Sequence, residues 1–258
     1  ERGIVESDER RMIQSVFDLA STTARTVMVP RTEMLWIEGD KNLHQALNLC
    51  IRSGHSRVPV IGEDVDDVIG VVYLKDIIVE TSRTGGSVTD VQRAIQVREV
   101  MRPAKFVPDS RLLDDLLQDM QSEQIHLSLL VDEYGGIAGL ITIEDILEEI
   151  VGEIVDEYDP EPTQTEQLED GVFRVPTRMQ VDDLGKLFDL DVDDDDVETV
   201  GGLVAKELSV VPIAGSSIVW EGLQITADKT TGRRHQVATY VVRRAPEDSM
   251  EQENDDDR

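Results

Sequence analysis

Apolar positions along this chain follow a helical period, then a strand period, and the whole sequence of periods occurs twice. Leu43, Ala46, Leu47, Cys50 and Ile51 fall three and four apart, one face of a helix, with Gly54 placed to stop it. The β-branched runs "RVPVI" (57–61) and "VIGVVY" (68–73) come next, and "LKDIIVE" (74–80) returns to helical spacing. In the second copy Leu113, Leu116, Leu117 and Met120 carry the helical stripe. "HLSLLVD" (126–132) and "IAGLIT" (137–142) are its strands, joined by "EYGG" as a tight turn. The leaders repeat as well: "TVMVPRTEMLWI" (26–37) is echoed by "EVMRPAKFVPDS" (99–110). Both units read strand-helix-strand-strand-helix over about 50 residues. One such unit buries too little apolar surface alone, so the two are expected to pack together around a pseudo-two-fold axis.

The flanks differ in kind. "ESDERRMIQSVFDLA" (6–20) predicts an amphipathic helix with Ser7 as N-cap and a stripe of Met12, Ile13, Val16, Phe17 and Ala20. "DEYDPEPTQTEQLEDG" (156–171) is acidic, holds two prolines and lacks apolar periodicity, which makes it a linker. Beyond it, strand "VFRV", helices "VDDLGKLFDL" and "VETVGGLVAKELS", and strands "SSIVW", "GLQITAD" and "HQVATYVVRR" predict a small α+β domain. The expected boundaries are a linker helix at 1–25, repeats at 26–82 and 97–155, a linker at 156–170, the second domain at 171–244 and a disordered acidic tail at 245–258.

Composition narrows the function. A length of 258 residues suits two modest domains, and with aromatics at 4% their cores must be built from Leu, Ile and Val. The net charge of -29 repels phosphate backbones, so nucleic acid is not expected as a partner. Cys50 is the one cysteine, which excludes a disulfide framework and a cysteine-rich zinc site. No apolar run approaches the ~20 residues of a membrane span. With Glu1 in place of methionine and no signal peptide, a soluble piece of something larger is expected.

The chemistry gathers at the repeat ends. "GLITIED" (139–145) is G-x-x-T-x-x-D, with Asp145 in the first turn of a helix whose N-terminus favours phosphate. Thr142 is placed to add a hydroxyl, and Asp145 to accept from a ribose diol. Asp145 also fits a plain helix-start role through the macrodipole. The first copy, "GVVYLKD" (70–76), keeps Gly70 and Asp76 but puts Tyr73 where Thr142 stands. Ser56 and Arg57 precede a strand as a hydroxyl and cation suited to polyphosphate, and the second copy has no arginine there. The two clefts are therefore unequal, with one good nucleotide site and a weaker one at Tyr73 and Asp76.

The duplicated unit together with "SRVPV", "DEYGG" and "GLITIEDILEEIVGEI" resembles a tandem CBS pair, and more narrowly the CorC/HlyC (CNNM-type) magnesium and cobalt transport family. "DDDVETVGGLVAKEL" (194–208) resembles that family's small C-terminal domain, itself similar to a piece of the FAD-binding PCMH-type oxidoreductase fold. The resemblance implies an α+β protein of paired β-α-β-β-α repeats, forming a homodimer through that pair and binding ATP with magnesium. It implies that Thr142 and Asp145 serve ribose and phosphate, that Ser56 and Arg57 lie on the phosphate side, and that Thr26 lies near base and ribose. It also implies a transmembrane transport domain as partner, and a place at the cytoplasmic face of the membrane. AMP and ADP remain alternatives to ATP. FAD is disfavoured because no phosphate-cradling glycine loop is present.

Other features read as structural. "FDLDVDDDDVETVGG" (188–202) places Asp194 and Val200 where a calcium loop counted from Asp189 needs glycine and glutamate. Asp195 or a neighbour is expected to cap the following helix. His44, His55, His126 and His235 are scattered without metal-ligand spacing, so no dedicated metal site is expected. No catalytic constellation is present, which makes this a binding device and not an enzyme. Two other readings stay open: a flavin-dependent enzyme, and a soluble effector without its own membrane domain.

Overall fold

The computed structural model describes residues 7–83, 92–152, 164–190, 192, 196–231 and 236–246. They form two compact units, the first running through the helix that ends at Val151 and the second starting with the strand at Glu166. Most of the acidic linker and the tail from 247 onward lie outside the described residues.

The first unit opens with α1 (Ser7–Leu19), α2 (Ala24–Val27) and β1 (Val29–Pro30). The first repeat supplies β2 (Ile37–Glu38), α3 (Leu43–Ser53), β3 (Arg57–Ile61), β4 (Val68–Tyr73) and α4 (Leu74–Arg83). The second supplies β5 (Phe106–Pro108), α5 (Leu113–Glu123), β6 (Leu127–Val131), β7 (Ile137–Thr142) and α6 (Ile143–Val151). The expected order of elements stands in both. Gly54 follows the end of α3 with φ 74°, a left-handed conformation that glycine adopts without strain.

Registers show how closely the copies correspond. β2 runs parallel to β3 with Ile37 beside Val60, and β5 runs parallel to β6 with Val107 beside Leu130. The antiparallel hairpins set Arg57 opposite Tyr73 and Leu127 opposite Thr142. Each hairpin slips register at the same point, between Val60 and Ile61 and between Leu130 and Val131. Tyr73 and Thr142 are thus equivalent places, as are Asp76 and Asp145.

The leaders, however, are exchanged between the repeats. β1, which precedes the first repeat, pairs with β7 of the second, Val29 beside Leu140 and Pro30 beside Gly139. Arg102, at the matching place before the second repeat, trades both backbone hydrogen bonds with Val71 of β4, each 2.9 Å. The amides of Ala24 and Arg25 donate to the carbonyls of Arg111 and Asp109, while those of Val97 and Arg98 donate to Lys41 and Gly39. This crossing explains the motif glycines. A Cβ on Gly139 would stand 2.3 Å from the Val29 carbonyl oxygen, and one on Gly70 would stand 2.8 Å from that of Arg102.

Burial follows the exchange. Leu19, Ala24 and Val27 join Leu116, Ile141 and Ile146 in the core of the second repeat, and Val97 joins Leu43, Val60 and Ile77 in the core of the first. A third apolar layer takes Met34, Ile61 and Val71 from one side and Leu127, Leu129 and Leu140 from the other. The two sheets therefore pack on each other, as one repeat's shortage of buried surface requires.

Helix α1 forms as expected, with Met12, Ile13, Val16 and Phe17 exposed and Leu19 as its buried anchor. Two expectations at the flanks are corrected. Ser7, expected as the N-cap, lies within α1. In the second unit, β8 (Glu166–Glu169) lies within the stretch read as linker and pairs with β9 (Val172–Pro176) as an edge strand. That strand escaped notice because all its side chains are exposed, leaving no alternation to read.

The rest of the second unit is α+β as expected. β10 (Ser217–Trp220), β11 (Leu223–Ala227) and β14 (Thr239–Arg244) complete a five-stranded sheet in the order β10-β11-β14-β9-β8, with a small β12 (Thr230–Thr231) and β13 (Gln236–Val237) hairpin beside it. Helices α7 (Val181–Leu187) and α8 (Val200–Leu208) bury Leu184, Val200 and Leu203 against Val175, Ile225 and Tyr240 of the sheet. The cap of α8 is Thr199 rather than Asp195, its hydroxyl accepting the Gly202 amide at 3.2 Å. Gly201 permits a close approach, since a Cβ there would stand 2.3 Å from Thr177 Cγ2.

Candidate functional site

Strand β7 passes into α6 without a loop, so its last residue caps the helix. Thr142 has extended backbone (φ -111°, ψ 162°) and its Oγ1 accepts the amide of Asp145 at 3.2 Å. Asp145 answers: its Oδ2 accepts the Thr142 amide at 2.8 Å and the Thr142 hydroxyl at 2.7 Å. This is a reciprocal capping box, so the helix-start role of Asp145 is real. A carboxylate has about four lone-pair sites, so capping a helix is compatible with accepting from other donors. The cap fixes its orientation at the positive end of α6.

Arg57 reaches this end from the first repeat. Its Nη1 lies 3.9 Å from Glu144 Oε1 in the first turn of α6. The same guanidinium sits 5.7 Å from the Tyr73 ring centroid, and its Nε is buried with no hydrogen-bond partner among the described residues. His126 Nδ1 also approaches Glu144, at 4.0 Å. Ser56 is exposed, and its carbonyl accepts the Leu74 amide at 2.9 Å, which ties the start of β3 to the start of α4. Thr26 is exposed on α2 with its hydroxyl 3.3 Å from that of Thr23. Because the leader carrying α2 pairs with β7, Thr26 shares the second-repeat side with Thr142 and Asp145.

The first-repeat end is built differently. Arg102 donates from Nε to Asp76 Oδ2 at 2.6 Å and from Nη2 to Asp76 Oδ1 at 2.8 Å. Its guanidinium lies 4.5 Å from the Tyr73 centroid, and Lys75 Nζ lies 5.5 Å from the same ring. The hydrogen bonds from Arg102 hold the Asp76 carboxyl below the usual carboxylate range, with burial opposing. Glu144, His126, Lys75 and Arg102 were all missed from the sequence. The one available signal was Arg102 itself, a cation standing where the first leader has Val29.

Among the described residues no group of three or more His, Cys, Asp or Glu gathers as a metal site, and Asp191 and residues 193–195 lie outside them. Cys50 is buried in α3, and burial pushes its thiol up to about 11, far from the reactive thiolate range. Arg174 bridges Asp228 at 2.7 Å and Glu166 at 2.6 Å, an ion-pair link across its sheet.

Comparison with known proteins matches this architecture. The CBS domain family model fits residues 24–82 and 97–152, and the CorC_HlyC transporter associated domain fits residues 166–240. A UPF0053 protein of Mycobacterium tuberculosis is 55% identical over 250 residues, covering 95% of this chain and 56% of that protein. The chain thus spans about half the length of that relative. The magnesium and cobalt efflux protein CorC of Salmonella typhimurium is 34% identical over 254 residues, covering 98% of this chain and 84% of that protein. The CBS domain of a bacterial CNNM/CorC family Mg2+ transporter superposes with a TM-score of 0.54 at 38% identity, covering 59% of this chain and 88% of that one. The same domain solved in complex with ATP gives 0.52 at 38% identity, covering 57% of this chain and 99% of that one.

Proposed function

The chain belongs to the CorC/CNNM family of magnesium and cobalt transport proteins, and we propose that it is the cytosolic regulatory module of such a transporter, binding Mg-ATP in its second-repeat cleft. The observation that carries the reading is the meeting of Arg57 with the capped N-terminus of α6. A cation from one repeat, its buried Nε unpartnered among the described residues, stands at a helix end that favours anions. A phosphate at this helix end would give the guanidinium a closer anionic partner than Glu144, which lies 3.9 Å from Nη1. Thr142 and Asp145 then serve phosphate and ribose, with Thr26 toward the base and Ser56 beside Arg57. The solved relative that holds ATP supports the choice of ligand.

Magnesium enters through the nucleotide. A protein of net charge -29 repels a triphosphate of about four negative charges, and Arg57 with one helix terminus offsets this only in part. Mg²⁺ chelated by the phosphates removes two of those charges and needs no all-protein cage. ATP affinity should therefore rise clearly with Mg²⁺, while AMP gains little. Calorimetric titrations in EDTA and in millimolar Mg²⁺ at matched ionic strength test this. Equal ATP affinities contradict the role of the ion, and an absence of binding in both contradicts the nucleotide site.

Coupling requires the nucleotide to favour one packing of the two repeats over another. The surface offers two faces for passing such a change on. Leu147 and Val151 on α6 and Ile78 and Val79 on α4 are exposed, which supports a homodimer through the pair. The bare stripe on α1 supports contact with a transmembrane transport domain at the cytoplasmic face of the membrane. No helix among the described residues is long and apolar enough to cross a membrane itself. Light scattering that gives a monomer at micromolar protein, with and without nucleotide, counts against the dimer.

A further inference from the structure

The exchanged leaders place Val29 against the second-repeat hairpin and Arg102 against the first, at equivalent points: Val29 pairs with Leu140 and Arg102 with Val71. Everything else about the two ends is matched by register, so the difference in their chemistry lies in what stands at a few positions. The second-repeat end has Val29 at the matching leader position, and its Asp145 carboxylate accepts the amide and hydroxyl of Thr142 at its own helix start. Around Asp76 the leader brings a guanidinium that engages both carboxylate oxygens, at 2.6 and 2.8 Å.

We propose that Arg102 closes the first-repeat cleft to nucleotide, holding in an internal ion pair the carboxylate whose counterpart, Asp145, receives the ribose in the second-repeat cleft. The proposal rests on the reading of the Thr142–Asp145 end as the nucleotide site. A ribose diol offers two hydroxyl donors, and at Asp76 it meets two charge-assisted bonds already in fork geometry, the strong arrangement for an arginine and a carboxylate. The competition is unequal because Arg102 is tethered at the site, while the ligand must also give up its translational freedom. Tyr73 reinforces the closure. Its ring stands in place of a small hydroxyl, and the Arg102 guanidinium lies 4.5 Å from its centroid, within cation–π range. Arg57 reaches toward both ends, since it lies 5.7 Å from the Tyr73 centroid and 3.9 Å from Glu144. With Arg102 committed to Asp76, Arg57 is left to serve the second-repeat cleft.

The test is a count of bound nucleotide. The variant Tyr73→Thr/Arg102→Val copies Thr142 and Val29 into the first repeat, and calorimetry with Mg-ATP should give one more equivalent per chain than the parent chain binds. Adding Asp76→Ala should remove that equivalent again. In the Asp145→Ala background the pair should restore binding, which places the new site in the first repeat. Arg102→Met with Tyr73→Thr keeps more of the arginine's volume and serves if the valine variant unfolds, as thermal melting will show. A parent chain that already binds two equivalents, or a variant pair that binds no more than its parent, overturns the proposal. A parent that binds none while the variant gains one defeats the second-repeat reading and leaves the closure standing.

Discussion

Tyr73–Asp76 and Thr142–Asp145 end identical hairpins and begin equivalent helices, yet the two carboxylates do opposite things. Asp145 folds back on its own helix start and is pinned there by the amide and hydroxyl of Thr142. Asp76 reaches outward to a guanidinium delivered by the other repeat's leader. Duplication therefore supplies the scaffold twice, while the local partners decide what each carboxylate is available for. A helix cap leaves an oriented carboxylate beside a positive helix end, and a bidentate ion pair neutralises one. The contrast can be broken at three levels: the crossing that brings the leaders in, the cap, and the ion pair.

The crossing carries the largest expected effect. Gly139→Ala forces a Cβ to within 2.3 Å of the Val29 carbonyl oxygen, a backbone atom that cannot yield without moving β1. Overpacking of this kind costs about 1–3 kcal/mol. Gly70→Ala meets the Met101 Sδ at 2.7 Å and the Arg102 carbonyl at 2.8 Å, and the sulfur belongs to a flexible side chain. Denaturant unfolding should rank Gly139→Ala as the more damaging. The reverse order would mean that the two leaders are not held in the same way.

The cap comes next. Thr142→Ala removes the hydroxyl that accepts the Asp145 amide and should cost about 1 kcal/mol of stability, the usual loss of an N-cap. Asp145→Ala deletes the other half of the box, so the double variant should cost less than the sum of the two singles. Strict additivity in unfolding experiments would show that the reciprocal cap is not formed in solution.

How much of this could be read from residues alone depends on whether the information is local. The strand and helix order of both repeats is local, because periods of two and 3.6 and a glycine such as Gly54 each act within a few positions. Thr142 and Asp145 stood out because two residues three apart at a strand-to-helix junction carry both cap and charge. The leader exchange is different in kind. Apolar patterning says that "VMVP" needs a partner strand and cannot say which of two nearly identical hairpins supplies it. The Arg102–Asp76 pair spans 26 positions and depends on that same choice, so nothing in the sequence tied the arginine to Asp76. The stripe on α1 was legible as amphipathic, but the pattern does not tell whether the covering surface belongs to this chain.

The ion pair gives the smallest effect and the most specific one. Asp76 binds its proton less tightly folded than unfolded, because Arg102 donates to the carboxylate. Its contribution is therefore present above the unfolded carboxylate pKa of roughly 3.9 and is lost as the pH falls through the depressed folded value. Carboxyl chemical shifts followed in an acid titration should place Asp76 below the ordinary aspartate range in the parent chain. In Arg102→Val the midpoint should return toward that range. An Asp76 midpoint unchanged by the substitution would show that Arg102 is not its partner.

The inequality of the two carboxylates toward nucleotide is the central claim, and Mg-ATP titration of Asp145→Ala beside Asp76→Ala tests it most directly. Losing hydrogen bonds to a charged group costs roughly 1.5–3 kcal/mol, so Asp145→Ala should weaken binding about 10- to 100-fold. Thr142→Ile, which removes the hydroxyl and crowds the cleft, should follow it in direction. Asp76→Ala should leave the affinity of the parent chain close to unchanged, because its carboxylate is already held by Arg102. Equal losses for Asp76→Ala and Asp145→Ala, in chains that melt as the parent does, would contradict the assignment of the nucleotide to the second repeat.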